Sequence, residues 1–392
     1  MAPDVADASD AAARGRPSPA ATVGLILPGG GARAAYQVGA LKAIAELLPN
    51  SPNPFPVIVG TSAGAVAAAV LASGAFRWRR AVAALEQVWG AFHVHHVFRV
   101  DALSTLRAGS HWLLSLLSGG TLVKPPQALF DNAPLRELLT RSIEWDNLRR
   151  SIERRDLRAL ALCASNYTTG ASLAFFQGAS DIPAWVRQQR VGRRTQLTLD
   201  HVMASLAVPF LFPPVRLPDG YYGDGAQRQL WPLSPAIHLG ADRLLIVGVN
   251  DPINLGARPK VPAIEPSFGQ IIGFMLDSLF MDQLHADLER INRYNENSEF
   301  RHIDSLVLIP SRDVNEIARR HAHELPRSLR ILLRTLGANN AASTLLLSYL
   351  LFERGFTREL IAMGYEDARA HADQIRGFLA LSAARRHRAP ED

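Results

Sequence analysis

A chain of 392 residues with 48% hydrophobic and 20% charged side chains has the material for a large core, which excludes an intrinsically disordered protein. The single cysteine, Cys163, excludes an internal disulfide framework and fits a reducing compartment; it lies in an apolar, strand-like run and reads as a core residue. The formal net charge of +6 is carried almost wholly by arginine, and neither zinc-finger spacing nor basic stretches interleaved with aromatics occur, so nucleic acid is not expected as a partner.

Residues 1–21 are Ala, Asp, Pro and Ser in no periodic order and are expected to form a disordered tail. Asp4, Asp7 and Asp10 stand where a secretory signal needs basic residues before an apolar stretch. A cytoplasmic location is therefore expected, with export by a route that leaves no hydrophobic signal as the alternative. The longest apolar runs, such as Leu345 to Phe352, are too short to cross a bilayer.

Val23 to Leu27 reads as a buried strand running into Gly29-Gly30-Gly31 and then a helix through Leu41, Ile44 and Leu48. A glycine loop between strand and helix presents successive backbone N–H groups to an anion. Pro49 to Pro56 contains four prolines and must be a loop. Val57-Ile58-Val59 then forms a strand, Gly60-Thr61-Ser62-Ala63-Gly64 a sharp turn, and the alanine-rich stretch to Gly74 a helix. Strand, turn and helix around Gly-x-Ser-x-Gly are the context of a nucleophile elbow, which lifts the serine hydroxyl off the sheet edge beside a helix N-terminus. Taken alone, the stretch reads equally well as a serine that caps a helix.

From Ala75 to Gly120 the pattern is helical with interruptions, Trp78, Val82, Leu85, Val88 and Trp89 sharing one face. His93, His95 and His96 follow with no acidic or cysteine partner nearby in sequence, so they read as partly exposed histidines at a helix end. Asp131-Asn132-Ala133-Pro134 starts a helix with proline in its first turn. Leu160 to Ser165 and Ser172 to Gln177 flank a turn and read as a paired hairpin, and Leu197 to Leu206 reads as a helix packed near the elbow. The proline-rich Val208 to Val215 leads to Gly223-Asp224-Gly225-Ala226, a lone carboxylate on a glycine-flanked turn. The runs at Arg243 to Asn250 and Leu306 to Ile309 have the continuous apolar character of central parallel strands. Between them, Ser267 and Gln270 open one long helix with Ile272, Leu276, Phe280, Leu284, Leu288 and Ile291 at helical spacing. Ile271, Phe274 and Met275 make its first half apolar on a second side. Beyond Pro310 the chain is mostly helical and ends in the basic Arg385 to Arg388.

Strands alternating with helices imply an α/β fold with a mostly parallel sheet covered on both faces, and sites at the carboxyl ends of strands. The three glycine-bearing turns supply an anion cradle, a nucleophile and a candidate base. At these residues the chain resembles the patatin-like phospholipase family. Gly29-Gly30-Gly31-Ala32-Arg33-Ala34 resembles its oxyanion motif, Gly60 to Gly64 its nucleophile motif, and Asp224-Gly225-Ala226 its dyad motif, in order over residues 22–235. The first motif usually ends in Gly, where this chain has Ala34.

The resemblance implies a three-layer sandwich and hydrolysis of acyl ester bonds in phospholipids or related lipids. Ser62 and Asp224 would be the dyad, Gly29, Gly30, Gly31 and Arg33 the oxyanion site, and Gly60, Gly64, Gly225 and Ala226 the motif supports. Arg33 would add positive potential nearby. No metal and no other cofactor is expected, since no cluster has the ligand density that calcium or zinc needs. Expected divisions are residues 22–312 as the catalytic unit and 313–392 as a helical extension. Scattered arginine clusters and the apolar Ile271 face suggest peripheral contact with an anionic membrane surface.

Three other readings compete. Gly29-x-Gly31-x-x-Ala34 matches a relaxed dinucleotide fingerprint, but the next strand ends in Gly60-Thr61-Ser62 where an acidic residue is needed. A Ser-His-Asp triad would recruit His238, His285, His302, His321 or His323, none of which sits in a recognisable loop motif. A catalytically silent lipid-binding scaffold would have to lose a reactive atom, and all three motifs retain theirs.

Overall fold

The computed structural model describes residues 21–49, 52–99, 128–229, 232–250, 265, 267–280, 282–296, 301–335 and 344–386. The expected tail at residues 1–20, the helical stretch at 101–120 and the basic residues after 386 lie outside them.

Among the described residues ten strands form one sheet. They are β1 (Val23–Leu27), β2 (Val57–Thr61), β3 (Ala159–Asn166), β4 (Ser172–Gly178), β5 (Trp185–Arg187), β6 (Arg190–Arg194), β7 (Val215–Leu217), β8 (Gly220–Asp224), β9 (Arg243–Val247) and β10 (Asp304–Leu308). The central run β10-β9-β1-β2-β3 is parallel throughout. β4 then pairs antiparallel with β3, as the hairpin pattern requires.

Side chains alternate across the sheet with period two, and both sides are apolar because both are covered. Leu25, Leu27, Ile58, Leu160, Leu162 and Leu245 point into one core. That core is shared with helices α1 (Ala35–Leu47), α2 (Ala63–Ser73) and α3 (Trp78–Trp89). Ile26, Val57, Val59, Ala161, Leu244 and Ile246 point into a second core on the opposite face. The result is a three-layer α/β sandwich with a mostly parallel sheet.

The two antiparallel partners of β3 position the site. β4 occupies one edge of β3 along its length, so β8 must lie on the edge that β2 also uses. β2 rises along that edge as far as Thr61 opposite Cys163. β8 descends the same edge and ends with Asp224 opposite Ala164. The two strands therefore meet end to end, and the residues at their tips are brought together.

The stretch expected as one long helix is helical on both sides of residue 281, which lies outside the described residues: α5 (Phe268–Phe280) and α6 (Asp282–Asn295) follow a shorter α4 (Leu199–Ser205) earlier in the chain. The Gln270 N–H does donate to Ser267 Oγ at 3.2 Å, half of the expected capping box. Leu276, Leu284 and Ile291 are buried, whereas Ile271, Phe274 and Met275 are exposed, Phe274 by 68%. Helices α7 (Val314–His321), α8 (Thr344–Leu350) and α9 (Arg354–Ala370) follow β10. α9 lies directly on α1: a Cβ at Gly39 would stand 1.9 Å from the Ile361 carbonyl oxygen, and one at Gly364 2.1 Å from that of Tyr36.

Candidate active site

Ser62 sits between the last residue of β2 and the first of α2, at φ 52° and ψ −129°. A non-glycine residue at positive φ is strained, and an elbow turn is a place where such strain is found. The turn passes so close to β1 that a Cβ at Gly64 would stand 2.0 Å from the Leu27 carbonyl oxygen. Gly60, across the turn, is as restricted by Ala65 and Ala68. The Ser62 N–H donates to Ser205 Oγ at 2.9 Å, and the Ser62 carbonyl accepts the Ala65 N–H at 2.8 Å. The residue is 2% exposed.

Asp224 is held by its backbone and by one carboxyl oxygen. Its N–H donates to the Ala207 carbonyl at 2.9 Å, and its Oδ1 accepts the Ala226 N–H at 2.9 Å. Oδ2 makes no hydrogen bond of ordinary geometry. Burial pushes the carboxyl up to about 7, against the opposing pull of the nearby Ser62 hydroxyl and the Ala226 amide, which both favour the charged form. Gly225 follows where a Cβ would meet the Cys163 carbonyl at 2.4 Å.

A polar chain underlies the turn. Thr61 Oγ1 donates to Gln229 Oε1 at 2.7 Å, and Gln229 Nε2 donates to Cys163 Sγ at 3.0 Å. Burial pushes the Cys163 thiol up to about 12, so it stays protonated and behaves as the expected core residue.

Gly29 and Gly30 are buried, while Gly31 is partly exposed and lines one cavity with Ser62. Gly31 has φ 54°, a conformation suited to glycine, and a Cβ there would stand 2.4 Å from the Tyr349 carbonyl oxygen. Ala34 is accommodated at the end of a short 3-10 turn, Gly31–Ala34.

Arg33 is 1% exposed. Its Nε and Nη2 donate to Ser348 Oγ at 2.9 and 2.6 Å, Nη2 to Asn315 Oδ1 at 2.8 Å, and Nη1 to Asn250 Oδ1. The guanidinium lies 4.1 Å over the Tyr349 ring, and Asp277, 3.6 Å away, supplies the counter-charge. The expected nearby positive potential is therefore a buried charge already engaged by residues from α5, α7 and α8. It ties the glycine loop to the last third of the chain.

The cavity over Ser62 has a volume of about 50 Å³ and an apolar wall that includes Trp89, Phe92, Phe212 and Phe352. A larger groove between α1, α3 and α9 lies at Lys42, Glu86 and Tyr365, away from these turns.

Among the described residues no histidine is hydrogen-bonded to Ser62 or Asp224. His238 stacks on Trp185, His302 meets Asp304, His321 bridges Glu324 and Glu359, and His323 meets the Arg320 carbonyl. The His285 side chain lies outside the described residues. His93 Nδ1 meets Glu353 at 2.7 Å, an acidic partner 260 positions away that local spacing did not reveal. Among the described residues no group of three or more His, Cys, Asp or Glu is arranged to hold a metal ion. No helix of the described residues is long and apolar enough to cross a membrane.

Ser205, Ala207 and Gln229 hold the site without any local sequence signal for that role. Helix Leu197 to Leu206 was expected near the elbow, but nothing local marks which of its polar atoms meets Ser62.

A family model described as "Patatin-like phospholipase" matches residues 25–237, more than half of the chain. No curated protein matches the sequence. Among solved structures, VipD from Legionella pneumophila is 13% identical, with 91% of this chain and 67% of that one covered and a TM-score of 0.36. Human GIVD cytosolic phospholipase A2 in complex with methyl gamma-linolenyl fluorophosphonate is 16% identical, with 94% of this chain covered and a TM-score of 0.43. The present chain spans 60% of that human chain.

Proposed function

Because this chain belongs to the patatin-like phospholipase family and is at that level a lipid acyl hydrolase, we propose that it cleaves acyl esters of phospholipids or related lipids through Ser62 and Asp224. The observation that carries the reading is the end-to-end meeting of β2 and β8 on one edge of β3, which puts a hydroxyl and a carboxyl at adjoining strand tips.

In this reading Ser62 Oγ attacks the ester carbonyl and Asp224 takes its proton. An acyl-enzyme forms, the alcohol leaves with the proton from Asp224, and water repeats the sequence in reverse. An ordinary carboxylate, with a pKa near 4, is a poor base for a hydroxyl. A carboxyl lifted to about 7 is far better matched to proton transfer at neutral pH. The oxyanion would be held by backbone N–H groups of the Gly29–Gly31 loop, each such donor being worth roughly 3–4 kcal/mol in a transition state. Arg33 keeps that loop in place from inside. The exposed Ile271, Phe274 and Met275 supply an apolar contact for a lipid surface.

Release of nitrophenol and of fatty acid from phospholipid vesicles, compared in wild type, Ser62→Ala, Asp224→Asn and the double variant, tests the dyad. Residues acting as a unit are non-additive, so all three variants should fall by similar factors, on the order of a thousandfold or more. A double variant that falls by the product of the two single losses would separate the two roles.

A further inference from the structure

Phe210 combines two features that are each unfavourable alone. Its φ is 64°, a conformation that a bulky residue adopts only under strain, and the residue is 64% exposed. The backbone around it enforces both. The Phe210 carbonyl accepts the Leu129 N–H at 2.8 Å, and the Leu211 carbonyl accepts the Phe130 N–H at 3.0 Å. The Leu211 and Phe212 N–H groups both donate to the Val208 carbonyl, at 3.2 and 2.9 Å, and these two side chains are buried. Glycine would adopt this turn without strain, and a polar side chain would face water at lower cost.

The place of the ring identifies what it meets. Val208 and Phe212, two residues before and two after, both line the cavity over Ser62, whereas Phe210 is outside its wall. The exposed tip of the turn therefore stands at the border of that wall. The wall also includes Gly31, whose loop is tied through Arg33 to Asp277 on α5. α5 carries the exposed Ile271, Phe274 and Met275. Exposed apolar side chains from two separate elements thus border one apolar cavity, in a chain whose family acts on lipid. A phospholipid bilayer satisfies both patches and brings the substrate to the opening.

We propose that Phe210 is a lipid-surface anchor, inserting into a phospholipid bilayer and seating the mouth of the Ser62 cavity against it. This deepens the reading of the protein as a phospholipid acyl hydrolase and rests on it. An apolar anchor needs no anionic lipid and is not screened by salt, unlike attraction through arginines.

The test compares wild type with Phe210→Gly on phosphatidylcholine vesicles and on nitrophenyl acetate in solution. The ratio of vesicle to soluble-ester turnover should fall roughly tenfold, the factor that withdrawing one phenyl side chain from water supplies. Tm should equal or exceed that of wild type, because glycine relieves the positive φ. An unchanged ratio overturns the proposal, and so does a loss of Tm together with both activities, which would mark a structural residue. A second readout is independent of the nucleophile. In Ser62→Ala/Phe210→Cys a nitrobenzoxadiazole label attaches at position 210, because the single native cysteine, Cys163, is buried. Phosphatidylcholine vesicles should raise its emission and shift it to the blue, at low and high salt alike. That result supports the anchor even if Ser62→Ala retains turnover and the dyad reading fails, whereas emission unchanged by vesicles overturns it.

Discussion

The backbone N–H of Ser62 donates to the hydroxyl of Ser205 at 2.9 Å, across 143 positions of chain. Two residues later the same segment accepts the Asp224 N–H at the Ala207 carbonyl. The Ser205–Ala207 segment therefore holds both tips by their amides and sets the distance between them. Ser205→Ala leaves a buried donor unpaired, which costs about 1–3 kcal/mol. Thermal unfolding should show that loss, and kcat should fall about tenfold with KM unchanged, since a misplaced nucleophile loses transition-state stabilisation and not ground-state binding. Wild-type stability and kcat in this variant would show that the bond positions nothing.

Asp224 should govern the acid limb of activity. Its carboxyl is protonated below about pH 7 and cannot then accept the Ser62 proton. The logarithm of kcat/KM on a soluble ester should rise with unit slope up to about pH 7 and level off above it. An inflection near pH 4, where ordinary carboxyls titrate, would assign the base to another group.

The same burial has a stability sign. The folded carboxyl releases its proton near pH 7, the unfolded one near 3.8, so between these values the folded chain holds more proton than the unfolded one. Stability from this group therefore falls as pH rises through that window. The loss is complete above about pH 7 and is on the order of 4 kcal/mol. Asp224→Asn removes the buried charge while keeping the shape, so its Tm should exceed that of wild type at pH 8 and lose the advantage near pH 4. A variant less stable than wild type at pH 8 would contradict this.

Arg33 should be a stability residue first. Arg33→Met removes four hydrogen bonds and takes the counter-charge from the half-buried Asp277, 23% exposed, which keeps only the neutral donors Asn250 and Tyr349. Breaking a buried pair from one side costs about 3–5 kcal/mol, and the lower end applies where one partner reaches water. Arg33→Lys should rescue little, because one ammonium cannot reach Ser348, Asn315 and Asn250 together. Denaturant unfolding of both variants checks this, with wild-type stability in Arg33→Lys as the contrary result.

Ester hydrolysis should continue undiminished in excess chelator, since no described side-chain group offers a metal its ligands. Loss of turnover restored by calcium would reverse this.

Much of the site is written locally. Val57 to Gly64 spells strand, turn and helix within eight residues, and its two glycines are the positions where a Cβ would strike backbone or a neighbouring helix. Asp224 stands out for the same reason, a carboxylate between glycines. The central, parallel place of β9 was also legible, because Arg243 to Val247 is buried on both faces and only a covered parallel strand needs that. What was not legible depends on separations that no local pattern encodes. Arg33 meets Ser348 across 315 positions and Asn250 across 217, and an arginine in a glycine loop looks the same whether it faces water or a helix. Glu353 was invisible as a partner of His93 until the C-terminal helices were placed.

The stretch that matches the family model ends at residue 237, before β9 begins at Arg243. β9 covers the open side of β1, the strand that delivers the glycine loop, and α9 presses on α1 through Gly39 and Gly364. Excised at its homology boundary, the protein would therefore present a bare parallel edge next to a guanidinium with none of its three hydrogen-bond acceptors. An expression fragment of residues 25–237 should aggregate where one extended through α9 folds, so the smallest autonomous unit is far longer than the recognisable one.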